Sequence, residues 1–161
     1  MSMLLDSLMR SAIVPALSLL PPRMDSDSAR VGLLAITLQE AEAIHRVQFG
    51  GGPAHGLWMF EESGGVRGVM THPQSRDYAR ALCSCRRLPF VQRTVWEALP
   101  NDNILSAGFA RLLLWTDFHP LPKLDDADGW WTYYERNWRP GKPRPADWPK
   151  NFSQARAQVL A

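Results

Sequence analysis

Apolar residues recur at three- and four-residue spacing along most of this chain, the period of α-helices with one face turned inward. The clearest case is residues 29–47, where Val31, Leu34, Leu38 and Ala41 share a face and Leu33, Ile36 and Ile44 widen it. A stripe that broad predicts a central, largely buried helix, and Asp25-Ser-Asp-Ser28 offers the N-cap before it. Further helices are predicted over 73–87, with Pro73 at the first position, over 90–99, and over the strongly apolar 103–115. Two more follow, one from the aspartates at 125–128 through Trp138 and an amphipathic one over 146–160. Gly50-Gly-Gly-Pro53 breaks the central helix from what comes next, and 54–70 reads as irregular or short-strand, punctuated by Gly56, Gly64, Gly65 and Gly68. His119-Pro-Leu-Pro122 is an extended connector, and the prolines of Arg139-Pro-Gly-Lys-Pro-Arg-Pro145 stiffen a second loop. The fold class is therefore mainly α, with one Gly-rich loop or short β excursion after the central helix.

The 161 residues suit one domain with a real core. Residues 1–22 read as an N-terminal docking helix and linker, and 23–161 as the helical domain. The first ten residues carry Asp6 and one basic residue, Pro15 interrupts the apolar run, and Pro21-Pro22 stands where a signal peptide needs small residues. That run is also too short to span a bilayer. Charge adds little: a net +2, with scattered arginines outnumbering lysines, gives no nucleic-acid arm and only weak attraction to anionic partners. Cys83 and Cys85 lie two apart on a predicted helix, point to different faces and have no Cys/His cluster to join, so two reduced thiols are expected. Neither a metal nor a cofactor is implied, and reduced thiols suit synthesis in a reducing cytoplasm.

The residue with the most chemistry is Glu40, at the end of the apolar stretch Ala29-Arg-Val-Gly-Leu-Leu-Ala-Ile-Thr-Leu-Gln-Glu40. A carboxyl at the end of a buried helix and facing a loop has its charged form disfavoured, which makes it a candidate proton donor. A solvated helix-end carboxylate is the plainer alternative, and Gln39 and Glu42 are polar enough to allow it. Aromatic rings are plentiful. Trp58 lies in the segment after the glycine turn, while Trp130, Trp131, Tyr134 and Trp138 sit at helical spacing, where core packing competes with lining a cleft. His45 is expected to cap the helix end, and Ser63 and the cysteines have no partner base for nucleophilic chemistry.

Leu34-Ala-Ile-Thr-Leu-Gln-Glu40 followed by Gly51-Gly-Pro-Ala-His-Gly-Leu-Trp-Met-Phe-Glu61 resembles small phage-encoded proteins of the lysozyme-like superfamily, nearest to soluble lytic transglycosylases and goose-type lysozymes. Leu105-Ser-Ala-Gly-Phe-Ala-Arg-Leu-Leu-Leu-Trp115 and Trp131-Thr-Tyr-Tyr-Glu-Arg-Asn-Trp-Arg-Pro-Gly-Lys-Pro143 are similar to later segments of those phage proteins. The resemblance implies a lysozyme-like domain with Glu40 as catalytic acid and Gly56 and Leu57 at the glycan groove. Trp58, in the same segment, is then the foremost glycan contact, with Met59 beside it, and Tyr134 is the helix-borne ring expected to reach the substrate. The chain also departs from the family: Ala41 stands where Ser usually follows the acid, and Met59 where Gln usually stands. A thioether is only a weak acceptor where an amide both donates and accepts.

The implied activity is cleavage between N-acetylmuramic acid and N-acetylglucosamine in peptidoglycan. With one acid, the muramyl hydroxyl closes a 1,6-anhydro ring; hydrolysis needs a second carboxylate or a positioned water. Glu61 and Glu62 are the second-acid candidates, although adjacent acids on an extended segment point apart. The chain is thus expected to be made in the bacterial cytoplasm and to act at the cell wall or periplasm, or to be packaged in the virion, with glycan strands as its partner, no nucleic acid and no membrane span. The alternative is a noncatalytic structural or ejection protein of the virion that keeps the scaffold and docks on other virion proteins through residues 1–20.

Overall fold

The computed structural model describes residues 2–161. The central helix forms as α3, Asp27–Ala41, with Ser26 as its N-cap: the Ser26 hydroxyl accepts from the Ala29 N–H at 3.0 Å. From Val31 to Thr37 every residue of α3 is buried. The helix stops at Ala41, six residues before the end that the apolar stripe predicted. Glu42 and Ala43 turn left-handed (φ +53° and +57°), and their N–H groups close on the Leu38 and Thr37 carbonyls. Beyond them Val47 bridges to His55, and the Gly56 N–H reaches the Arg46 carbonyl at 2.7 Å, so strand pairing takes the backbone that the helix would have used. Ile44 and Val47, which fit the helical period, are exposed instead.

The β excursion is a small hairpin. β1, Ala54–His55, and β2, Phe60–Glu61, pair antiparallel with Ala54 opposite Glu61 and His55 opposite Phe60. A π-type turn, Glu62–Val66, leads into α4, Arg67–Thr71. Helices α5 (Arg76–Cys85), α6 (Gln92–Ala98), α7 (Asn103–Trp115), α8 (Ala127–Trp138) and α9 (Trp148–Leu160) follow. The Asp102 and Asp126 carboxylates cap α7 and α8 at 2.9 Å each. α3 packs most extensively against α9 and also touches α7. At Gly32 a Cβ would stand 2.2 Å from the Trp130 ring, so this glycine lets α8 lay its buried indole on α3.

The N-terminal segment joins the same core. α1 (Met3–Leu8) and α2 (Val14–Ser18) are joined by a π-helical turn, Met9–Ile13, immediately before Pro15. Proline lacks an N–H and its ring crowds the preceding turn, and the wider turn accommodates it without ending the helix. Leu5 and Leu8 of α1 are buried towards α9, and Ala12, Ile13, Ala16 and Leu17 are buried mainly against α7. The segment therefore docks on the body, and its buried residues from Leu5 to Leu20 belong to the same apolar core as the helices that follow. Among the described residues no helix is long and apolar enough to cross a membrane. Cys83 is buried and Cys85 exposed, both as free thiols.

Candidate active site

Glu40 occupies the last turn of α3, where the helix stops being core. Its Oε1 accepts a 2.6 Å hydrogen bond from the Tyr134 hydroxyl on α8. Its Oε2 has no protein partner among the described residues and is not sealed from solvent. Burial raises the pKa of the carboxyl, and the Tyr134 bond and the Arg144 charge offset only part of that rise. Tyr134, 2% exposed, is itself pushed far above a phenol's usual range by burial and by Glu40, so its proton stays on and it always donates.

The segment around Glu40 is held from the far side by the Pro-rich loop. Gln39 donates to the Arg144 carbonyl at 2.9 Å, the Arg144 guanidinium returns a bond to the Gln39 carbonyl, and Asn151 on α9 donates to Gln39 Oε1 at 2.8 Å. Gln39 is 2% exposed and fully engaged, not the solvated neighbour that its polarity suggested. Tyr134 is clamped too: its ring stacks on Trp148, centroids 5.4 Å apart and 10° from parallel.

The hairpin turn places the other predicted residues differently from the sequence expectation. Gly56 (φ +83°) is buried, and a Cβ there would lie 2.8 Å from the Ser106 hydroxyl, so it is a close-packing glycine and not a groove contact. Leu57 points inward, its carbonyl accepting from the Thr37 hydroxyl at 2.6 Å. Trp58, expected as the foremost glycan contact, is 1% exposed, with its indole N–H on the Leu33 carbonyl at 2.9 Å. Leu57 and Trp58 bolt the hairpin to α3 and Gly56 fits it against Ser106 and Leu99; none of the three offers a sugar-stacking face. Tyr134 is buried and gives its hydroxyl proton to Glu40. Packing on α3 decided this, because it buries the large apolar ring in preference to the smaller exposed groups.

Met59, at φ +50°, turns outward and lines a cleft of about 450 Å³. Phe60, Glu61, Gly64, Gly65, His72 and Trp138 form much of its wall, and Arg136 and Asn137 add polar groups. Glu61 is exposed at this cleft, whereas Glu62 is turned to Arg93 in a 2.9 Å ion pair, so the two acids do point apart. Glu40 is not among the lining residues. It connects to them through α8: Tyr134 holds Glu40, and Trp138, one turn on, lines the cleft and donates to the Trp58 carbonyl at 2.9 Å.

A second carboxylate adjoins the same cleft. Asp117 accepts from Arg136 at 2.6 Å, from Asn137 at 2.9 Å, and from the His119 backbone and ring at 3.0 and 2.7 Å. Burial works against its charge, but these donors outweigh it and hold the carboxyl well below the usual carboxylate range. Asp117 therefore stays ionised and positions Arg136 and Asn137. Arg144, Asn151, Asp117 and Arg136 were not singled out from sequence; the basic, proline-stiffened loop was the one available signal, and it pointed to Arg144. Comparison with family models, with curated proteins and with solved structures gave no match.

Proposed function

We propose that this protein is a peptidoglycan-cleaving muramidase of the lytic transglycosylase type, with Glu40 as its general acid and then its base. The observation that carries the reading is the state of that carboxyl. It is buried enough to stay protonated above the ordinary value, held at one oxygen by Tyr134, and free at the other. Such a group gives a proton to a leaving glycosidic oxygen and, once ionised, takes one from the attacking hydroxyl. Ring closure by the muramyl hydroxyl needs no second acid, which suits a site where Glu62 is paired away and Glu61 is exposed. Met59, Glu61 and Trp138 are the groove contacts of this reading, and the cell wall or periplasm is its place of action.

One observation favours a second reading, a noncatalytic virion protein on the same scaffold. The residue turned into the cleft is Met59, whose thioether cannot donate to a sugar, and Glu40 is not among the residues that line it. The two readings divide in a digest of purified peptidoglycan by the wild-type protein and Glu40→Gln, with products identified by mass spectrometry. Anhydro-muropeptides from the wild type alone are the expected result. Reducing-end products would replace the transglycosylase by a hydrolase, and no products from a folded wild-type protein would leave the noncatalytic reading.

A further inference from the structure

The net charge of +2 conceals an uneven distribution. Residues 67–93 carry six arginines (67, 76, 80, 86, 87 and 93) and no lysine, against one acid, Asp77. Two of the six are neutralised within the fold: Arg86 by Asp102 at 2.9 Å and Arg93 by Glu62 at 2.9 Å. Arg67, Arg80 and Arg87 have no acidic partner among the described residues, and Arg76 meets only its exposed neighbour Asp77, at 3.9 Å. Arg76 and Arg80 stand one turn apart on the solvent side of α5, and Arg87 follows just past its end.

This row adjoins the candidate site. Gly68 on α4 and His72 after it line the cleft; Arg67 precedes the first, and the Arg76 N–H bonds the His72 carbonyl at 3.0 Å. A strand in the cleft would pass the start of the row. The chemistry of the face narrows the partner. Arginine's planar fork suits carboxylates, which it can hold by two parallel bonds. Between the arginines the exposed positions are Asp77, Ala81, Ser84 and Cys85, one acid against three exposed arginines and with no free aromatic ring on which a nucleobase would stack, and the nearby Phe90 ring lies under the Arg80 guanidinium at 4.4 Å.

We infer that the α5 arginine row binds the free carboxylates of the peptide stems on peptidoglycan, so that the protein selects stem-bearing glycan strands over bare ones. The inference rests on the muramidase reading for its substrate, but not on cleavage. Uncrosslinked glycan strands carrying peptide stems, and the same strands stripped by an amidase, are titrated into the Glu40→Gln protein at low and high salt. A variant that adds Arg76→Gln, Arg80→Gln and Arg87→Gln is titrated alongside; all three positions are exposed, and its melting curve checks the fold. Stem-bearing strands bind about tenfold more tightly at low salt, and the advantage disappears at high salt and in the arginine variant. Equal affinity for the two strands, or an unchanged advantage in the arginine variant, overturns the inference. So does tighter binding of a single-stranded DNA oligonucleotide that the variant loses. Wild-type cleavage of both strands is followed in parallel. Selective binding without cleavage keeps the inference and removes the catalytic reading, whereas cleavage without selectivity does the reverse.

Discussion

Glu40 and Asp117 are two carboxylates in one helical domain, both touching α8, and they are driven in opposite directions. Glu40 ends α3 with a single strong donor, Tyr134, on one of its oxygens. Asp117, with its side chain 4% exposed, sits in a turn where four donors converge. Desolvation opposes the charge of both. It wins at Glu40, where one hydrogen bond and a more distant arginine do not compensate it, and loses at Asp117. Burial alone therefore does not keep a carboxyl protonated; the number of donors that the fold brings to it sets the direction in which its pKa moves.

The largest expected effect lies on the catalytic side of this comparison. On the proposed muramidase reading, Glu40→Gln lowers muropeptide release by about 10³-fold, the range a lost general acid gives, and its near-isosteric amide leaves the fold intact by circular dichroism. Residual release at the wild-type rate would remove Glu40 from the chemistry. Next comes Asp117→Ala, which strands the donors of Arg136, Asn137 and His119 and costs about 2–3 kcal/mol in denaturant unfolding. Asp117 binds fewer protons folded than unfolded, so its stabilisation is present above the ordinary carboxylate range and is lost as pH falls below it. The gap between wild type and Asp117→Ala should accordingly narrow in acid, and a gap constant from pH 7 to pH 2 would contradict the assignment.

Tyr134→Phe removes the one donor that favours the Glu40 carboxylate. It costs about 1 kcal/mol of stability and moves the alkaline limb of the activity profile to higher pH, because Glu40 then holds its proton longer. A limb that moved down, or not at all, would mean that the hydroxyl does not act on Glu40. The smallest effect is on melting. Glu40 binds more protons folded than unfolded, so its burial lowers stability as pH rises past the ordinary value of 4.5. Glu40→Gln should melt at least as high as wild type at neutral pH, with the difference shrinking on acidification, as differential scanning fluorimetry would read.

Several elements were legible from residue order. The predicted helix over 103–115 is α7 to the residue, and Trp130 and Tyr134, placed by helical spacing, are buried on α8. The glycine-rich break after the central helix does lead into a short β excursion. Glu40 was also placed at the end of a buried helix, and its neutral-leaning state followed from that position. Other features were not legible. The apolar stripe ran past Ala41 because Ile44 and Val47 continue the period, and nothing local announces that strand pairing with His55 takes over. Trp58 looked like a groove residue because it lies between a glycine and the cleft; only the approach of α3 and α8 shows that its ring and both of its polar contacts face inward.

The sequence by itself determined the helical class, the position of the breaks and the placement of one acid at a helix end, because periodicity, capping and turn chemistry act over a few neighbouring residues. The tertiary structure decided which polar groups meet. Glu40 finds Tyr134 across 94 positions, Gln39 finds Asn151 across 112, and Asp117 gathers Arg136 and Asn137 from the next helix. The balance between desolvation and hydrogen bonding that sets a carboxyl's charge is a sum over such distant partners, and no local pattern contains it.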